Sequence, residues 1–147
     1  MRYEDLLEFL DDYGACGESL DWLDNYRAEH PQTSVAAIFD AVPRAPWRVW
    51  LHQVLGVPCT QTQAAVALKA LDAFLAGSKN PDYPQGARKE AQNAYDCAYW
   101  DDTVDWACYI ATEDYTETSC PELATLNDVL QADCPGETLV EYVKGRQ

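Results

Sequence analysis

Apolar residues recur at helical spacing along nearly the whole chain. An early segment repeats them at Leu6, Leu7 and Leu10, and a later one at Val66 and Ala70. Intervals of three and four residues place such positions on one face of a helix. No stretch alternates apolar and polar residues between hairpin turns, as exposed strands do. The pattern therefore predicts an all-α fold, a compact bundle of about seven to eight helices.

Capping and helix-stopping residues give the expected bounds of these helices. Gly14 and Gly56 follow predicted C-termini, while Thr33 or Ser34, and then Thr60, can cap N-termini. Two prolines and two glycines predict a loop over residues 77–86, which divides a single domain (residues 1–147) into an N-terminal half (1–76) and a C-terminal half (87–147). The predicted helices cover residues 3–13, 18–29, 35–42, 47–55, 61–76, 87–112, 120–134 and 138–144.

Composition narrows the class of protein. With 147 residues and 48% hydrophobic residues, the chain can bury one sizeable core. It opens without a basic and then apolar leader, and no apolar run approaches the length of a membrane span, so we expect a cytoplasmic protein. The six cysteines form no CxxC pair, so we expect buried, reduced thiols, no zinc site and no cofactor.

The acidity of the chain is segregated. The formal net charge is −15, with eight acidic and no basic residues over residues 3–26 and thirteen acidic and no basic residues over residues 90–143. Residues 27–89 instead carry seven basic and four acidic residues. This charge argues against direct binding to nucleic acid or to an anionic membrane and favours a basic protein partner.

Two interpretations of this charge stay open at the level of sequence. Carboxylates three and four residues apart on a helix lie about 6 Å from each other, which is comparable to the phosphate spacing along a nucleic-acid strand. Such a surface would compete for the basic groove of a nucleic-acid-binding protein. The alternative is a solvated acidic surface that serves solubility. Catalytic use of the acids is a further interpretation that the pattern favours less.

The string Asp101-Asp102-Thr103-Val104-Asp105 resembles the DDxxD motif of isoprenyl-diphosphate synthases and terpenoid cyclases. That resemblance implies a magnesium-diphosphate site on an all-α fold. A break in the helical segment 87–112 explains the same residues: one helix ends near Trp100, and Asp101 or Asp102 caps the next, with Asp105 at the capping-box position. An exposed acidic contact explains them as well. We predict the cap.

Two acidic pairs near the N-terminus, Glu8-x-x-Asp11 and Glu18-x-x-Asp21, resemble the paired motifs of all-α nucleotide pyrophosphatases. That resemblance implies Mg²⁺ held between antiparallel helices. No Lys or Arg lies between the pairs to hold a phosphate, so we interpret them as a solvated helix face.

Aromatic residues give a further set of expectations. Trp47 and Trp50 share a helix face with Leu51 and Val54, and we expect most of that face in the core. Trp100, which is flanked by acids, is either a core residue or an exposed anchor of the kind found at interfaces.

Residues 15–51, with Leu20-Asp21-Trp22-Leu23 and Trp47-Arg48-Val49-Trp50-Leu51, resemble small uncharacterised helical proteins of bacteria and phages. In size and charge the whole chain is similar to phage-encoded inhibitors of host defence, the anti-CRISPR and anti-restriction proteins, several of which mimic DNA. The resemblance implies an acidic, non-enzymatic inhibitor, monomeric or homodimeric, that occupies the nucleic-acid groove of a basic protein or nuclease complex. The predicted contact cluster is Asp96, Trp100, Asp101, Asp102, Asp105, Glu113, Asp114 and Glu117. The alternatives are an adaptor or immunity-type protein that binds through an aromatic surface and, third, a metal-dependent phosphohydrolase.

Overall fold

The computed structural model describes residues 1–77, 89, 92, 96 and 117–146. These residues form seven helices and no strand, which confirms the all-α fold class. Residues 89, 92 and 96 are helical, and the rest of the predicted loop at 78–86 and of the predicted helix at 87–112 lies outside the described residues. The helices are α1 (Tyr3–Asp12), α2 (Gly17–Glu29), α3 (Val35–Asp40), α4 (Ala45–Leu55), α5 (Gln61–Gly77), α6 (Pro121–Asp133) and α7 (Gly136–Lys144).

Several predicted helix ends are confirmed by their hydrogen bonds. The Ser34 hydroxyl accepts from the Ala37 N–H at 3.1 Å and caps α3. At the start of α5, Thr60 and Gln63 form a reciprocal capping box, with both bonds at 3.1 Å. Gly56 ends α4 with a φ of 70°, a left-handed conformation that favours glycine.

Two helices begin earlier than the sequence predicted, because carboxylates from distant parts of the chain cap them. The predicted start of α4 was residue 47, but the Glu117 carboxylate accepts from the Ala45 N–H at 2.8 Å. The predicted start of α7 was residue 138, but the Asp40 carboxylate accepts from the Gly136 N–H at 2.7 Å. Negative charge at a helix N-terminus also interacts favourably with the helix dipole.

The chain divides into two compact units that do not coincide with the predicted halves. Unit 1 comprises Met1–Val42 and Cys134–Gln147, and unit 2 comprises Pro43–Asp133. The difference arises because α7, from the C-terminal end, packs against α3, while α5 packs against α6.

Each unit has its own buried residues. Unit 1 buries apolar side chains from all four of its helices, namely Leu6, Phe9, Leu23, Val35, Ile38, Phe39, Leu139, Val140 and Val143. Unit 2 has a core of small and aliphatic residues at the junction of α5 and α6, to which α4 adds its inner face. That core comprises Ala45, Val49, Cys59, Ala64, Ala67, Ala70, Leu71, Cys120, Leu123, Leu126 and Leu130.

Candidate acidic binding surface

Helix α1 presents four carboxylates on its solvent face. Glu4, Glu8, Asp11 and Asp12 are all exposed, and at about 100° per residue they fall within one arc of the helix. Leu6, on the opposite side, is 1% exposed. Within residues 1–77 and 117–146, none of the four forms an ion pair. Helix α1 is therefore amphipathic, and the charged residues on its exposed face are all acidic.

Helix α2 carries three further exposed carboxylates, those of Glu18, Asp21 and Asp24, at three-residue intervals. The basic residue of α2, Arg27, does not neutralise them. Its guanidinium donates to the Thr33 carbonyl at 3.3 Å and lies over the Tyr3 ring at 4.9 Å. We call Glu4, Glu8, Asp11, Asp12, Glu18, Asp21 and Asp24 the α1–α2 carboxylates.

Two other acids of unit 1, Asp5 and Glu141, differ from the α1–α2 carboxylates because each forms an ion pair. Asp5 pairs with Arg2 at 3.2 Å, and the Arg2 hydrogen bonds hold the pKa of Asp5 below its usual value. On α7, Glu141 pairs with Lys144 at 3.3 Å. Cations are therefore available in unit 1, and the Arg2 charge also acts on Glu4 and Glu8, but none of the α1–α2 carboxylates forms an ion pair with a described residue. The interpretation of Glu8, Asp11, Glu18 and Asp21 as a solvated face agrees with their exposure.

A stack of aromatic rings accompanies the carboxylates of α2. The Trp22 and Tyr26 rings lie 5.2 Å apart between centroids, and the Tyr26 and His30 rings lie 4.3 Å apart. Trp22 and Tyr26 are half-buried and His30, the C-cap residue, is exposed. Aromatic side chains bordered by charge are typical of protein interfaces.

Most of the contact cluster predicted from the sequence lies outside the described residues, namely Trp100, Asp101, Asp102, Asp105, Glu113 and Asp114. Asp96 is exposed and accepts a hydrogen bond from the Gln92 amide at 3.2 Å. Glu117 has a structural role that the sequence did not indicate, because it caps α4 and pairs with the Arg44 guanidinium at 3.2 Å. The side chain of Glu117 is 18% exposed.

Unit 2 contains a buried polar layer that sequence reasoning missed. Arg48 and His52, one turn apart on α4, are both 0% exposed, whereas Trp47 and Trp50, expected in the core, are half-buried. The Arg48 Nε donates to the Asn127 side-chain oxygen at 2.8 Å, and the Gln63 amide donates to Asp133 at 2.9 Å. The sequence does contain one indication of this layer, the polar pair Arg48 and His52 at i and i+4. That spacing alone does not say which face of α4 is buried.

His52 is the unusual member of this layer. In the part of the chain that the structure describes, neither of its ring nitrogens has a hydrogen-bond partner. Burial, reinforced by the nearby Arg48 charge and opposed by Asp133, lowers the pKa of His52 from 6.5 to about 4. The imidazole is therefore neutral at physiological pH.

Two thiols of unit 2, those of Cys59 and Cys120, are poor nucleophiles. Cys59 and Cys120 are buried and free, and burial raises the pKa of Cys59 to about 12 and also raises the pKa of Cys120. A protonated thiol neither attacks a substrate nor binds a metal readily. Cys134 is buried as expected, whereas Cys16 is exposed, which corrects the expectation for that residue, and Cys97 and Cys108 lie outside the described residues.

Among the described residues, no group of three or more His, Cys, Asp or Glu side chains is arranged to hold a metal ion. No helix in that same part of the chain is both long enough and apolar enough to cross a membrane. No protein-family model, curated protein or solved structure matches the chain. The candidate site is therefore argued from its own residues, and its main feature is the row of unpaired α1–α2 carboxylates.

Proposed function

We propose that the protein is an acidic, non-enzymatic inhibitor that occupies the nucleic-acid-binding groove of a basic partner. The observation that carries this proposal is the solvent face of α1, where Glu4, Glu8, Asp11 and Asp12 are exposed and form no ion pair with any described residue. Helical intervals of three and four residues give these carboxylates a spacing of about 6 Å, close to that of successive phosphates.

The energetics support an external role for the α1–α2 carboxylates. Like charges one turn apart on a helix destabilise it by about 0.2–0.5 kcal/mol per pair, and Lys or Arg at the same intervals would remove that cost. The repulsion is offset if the surface binds a cationic partner, because a formal charge of −15 attracts a cationic groove over long range. The same negative charge repels the phosphates of nucleic acid, so the proposed partner is a protein.

The class of partner follows from the resemblance in size and charge to phage-encoded anti-CRISPR and anti-restriction inhibitors. The nucleases that such inhibitors block bind the nucleic-acid backbone in grooves of Lys and Arg side chains. The cluster Asp96, Trp100, Asp101, Asp102, Asp105, Glu113, Asp114 and Glu117 remains a predicted second contact set, in which Glu117 is already bonded to α4.

The test is a competition experiment with two purified probes, an RNA-guided DNA nuclease and a type II restriction endonuclease. Each is bound to fluorescent duplex DNA at low salt, and the protein is titrated in; direct binding of the labelled protein to each probe, without DNA, is then measured at low salt and at about 0.5 M salt. We expect the protein to release DNA from at least one probe, and its direct binding to that probe to weaken by about tenfold or more at high salt.

Three variants locate the contact. The first replaces Glu4, Glu8, Asp11 and Asp12 by their amides, and the second replaces Asp101, Asp102 and Asp105. The third is a control with amides at Glu29, Asp72 and Asp128, which are exposed and lie outside both sets. Loss of inhibition in the first or second variant but not in the control supports the proposal. Equal effects in all three, or direct binding that is insensitive to salt, contradict it.

A second candidate function is an adaptor that binds through the stacked rings of Trp22, Tyr26 and His30. Aromatic contacts depend little on ionic strength, whereas steering by charge is screened within about 10 Å at 0.1 M salt. Substitution of Trp22 by Ala would abolish binding by an adaptor at every salt concentration. It would leave the salt-dependent competition of an acidic mimic largely intact.

A further inference from the structure

A groove of about 530 Å³ lies between the first turns of α3 and α7 in unit 1. Met1, Val35, Ala36 and Val140 are its apolar residues, Ser34 lies at the start of α3, and Glu137, Thr138 and Glu141 contribute from α7. This volume is within the range of about 300–1,000 Å³ that is usual for ligand pockets.

Two contacts between α3 and α7 hold the groove in shape. The helices approach so closely that a Cβ atom at Gly136 would overlap the carbonyl group of Ala36. Next to this approach, the Gly136 N–H donates to the Asp40 carboxylate at 2.7 Å. Both contacts fix one helix against the other, so the groove is formed before any partner binds.

The groove combines an apolar floor with an acidic rim. Val35 and Val140 are 5% and 9% exposed, whereas Glu137 and Glu141 are exposed on one face of α7, a single turn apart. No Lys, Arg or His side chain is among the lining residues, so the two carboxylates outnumber the one amino group there, that of Met1. The pair between Glu141 and Lys144 joins two exposed side chains, and such pairs contribute little, so Glu141 can exchange this partner at small cost.

We infer that this groove binds a short cationic, amphipathic segment of a partner protein. An aliphatic side chain of the segment lies on the floor of Val35, Ala36 and Val140, and its Lys or Arg side chains pair with Glu137 and Glu141. Charge complementarity selects this occupant, because an anionic segment would be repelled by both carboxylates and a neutral one would leave them uncompensated. The site uses α3 and α7, so it does not depend on the nucleic-acid competition assigned to α1 and α2.

The experiment measures the fluorescence anisotropy of a labelled 12-residue peptide with Lys and Leu at helical spacing, titrated with the full chain. The Glu137→Gln/Glu141→Gln variant removes the acidic rim, and Glu29→Gln/Asp128→Asn is its control, which removes the same charge at two exposed positions outside both proposed binding surfaces. Thr138→Trp fills the groove from an exposed lining position, with Thr138→Ser as its control. A second peptide with Ser in place of every Leu keeps the charge and loses the apolar side chains.

We expect the α7 pair of substitutions and Thr138→Trp each to weaken binding by about tenfold, which corresponds to about 1.4 kcal/mol. The control pair Glu29→Gln/Asp128→Asn and Thr138→Ser should stay within about twofold of the parent, and the Ser peptide should bind at least about tenfold more weakly. Absence of binding by the Leu peptide overturns the inference. Equal weakening by the α7 pair and the control pair, or equal affinity for the two peptides, also overturns it, since either shows general attraction to an acidic chain. The α1 carboxylates are tested separately by DNA competition, so the proposed function and the groove can fail independently.

Discussion

The two compact units treat their polar side chains in opposite ways. In unit 2, Glu117 caps a helix and pairs with Arg44, Asp133 accepts from Gln63, and Arg48 and His52 are fully buried. In unit 1, the buried residues that the structure describes are apolar, apart from Gly136 at the helix contact, and the α1–α2 carboxylates are exposed without ion pairs. Among the described residues, unit 2 therefore places several charged side chains in internal contacts, whereas unit 1 leaves the α1–α2 carboxylates for solvent or a partner.

This difference separates structural acids from acids that are available for binding. A carboxylate with hydrogen bonds inside the protein loses those bonds when it turns to a partner, whereas the α1–α2 carboxylates lose only hydration. The units nevertheless share one device, since Asp40 in unit 1 and Glu117 in unit 2 each cap a helix that lacks a capping side chain of its own.

The largest effect is expected at the helix contact of unit 1. Gly136→Ala should destabilise the protein by about 3 kcal/mol, because the new methyl group overlaps the Ala36 carbonyl and the helices must separate. The matched control is Gly17→Ala, since a Cβ there meets nothing within 4 Å. Urea unfolding measures both variants, and an equal stability of the two would show that α3 and α7 are not in tight contact.

The buried imidazole of unit 2 predicts a pH dependence. The folded pKa of His52 is about 4 against 6.5 for the free side chain, so below pH 6.5 the unfolded chain takes up a proton that the folded chain does not. Stability is therefore lost as the pH falls, by about 2 kcal/mol between pH 7 and pH 5 from this group.

Urea unfolding at several pH values checks this prediction with two variants. His52→Leu should reduce the loss between pH 7 and pH 5, whereas His30→Gln, at an exposed position, should retain it. An unchanged slope in His52→Leu would contradict the assignment to His52. The charged groups facing the imidazole are Arg48, which lowers its pKa, and Asp133, which raises it.

The shared capping device predicts a cost in each unit. Asp40→Ala should destabilise by about 1 kcal/mol, because it exposes an uncapped helix N-terminus, and Glu117→Ala by at least as much, because it also removes the ion pair with Arg44. Glu29→Ala, at an exposed position in unit 1, and Asp128→Ala, at one in unit 2, are controls that should change stability little. Thermal unfolding of all four variants distinguishes a cap from a surface acid, and a neutral Glu117→Ala would make that residue available for a partner.

The smallest effect is expected on the open face of α1. Amide substitution of Glu4, Glu8, Asp11 and Asp12 should stabilise the protein by about 0.5 kcal/mol at low salt, because it removes repulsion between neighbouring turns. The gain should disappear at about 0.5 M salt, where the repulsion is screened. A loss of stability in this variant would mean that the carboxylates have structural partners, and the contrast between the units would fail.

Several features of the fold and of the candidate site could be predicted from the sequence, because they depend on neighbours along the chain. Helical periodicity predicted the all-α class, Ser34 and Thr60 indicated helix starts, and Gly56 indicated a stop. The solvent face of α1 follows from the same periodicity, since four acids share one arc opposite Leu6.

Tertiary structure alone decided what depends on residues far apart in sequence. The caps from Asp40 and Glu117 span 96 and 72 residues, so the earlier starts of α7 and α4 could not be inferred locally. The burial of Arg48 required Asn127, 79 residues away, to accept its hydrogen bond. A sequence determines which side chains carry charge and which helix face they share, but packing decides which of those charges find internal partners, because hydrogen bonds depend on distances in space.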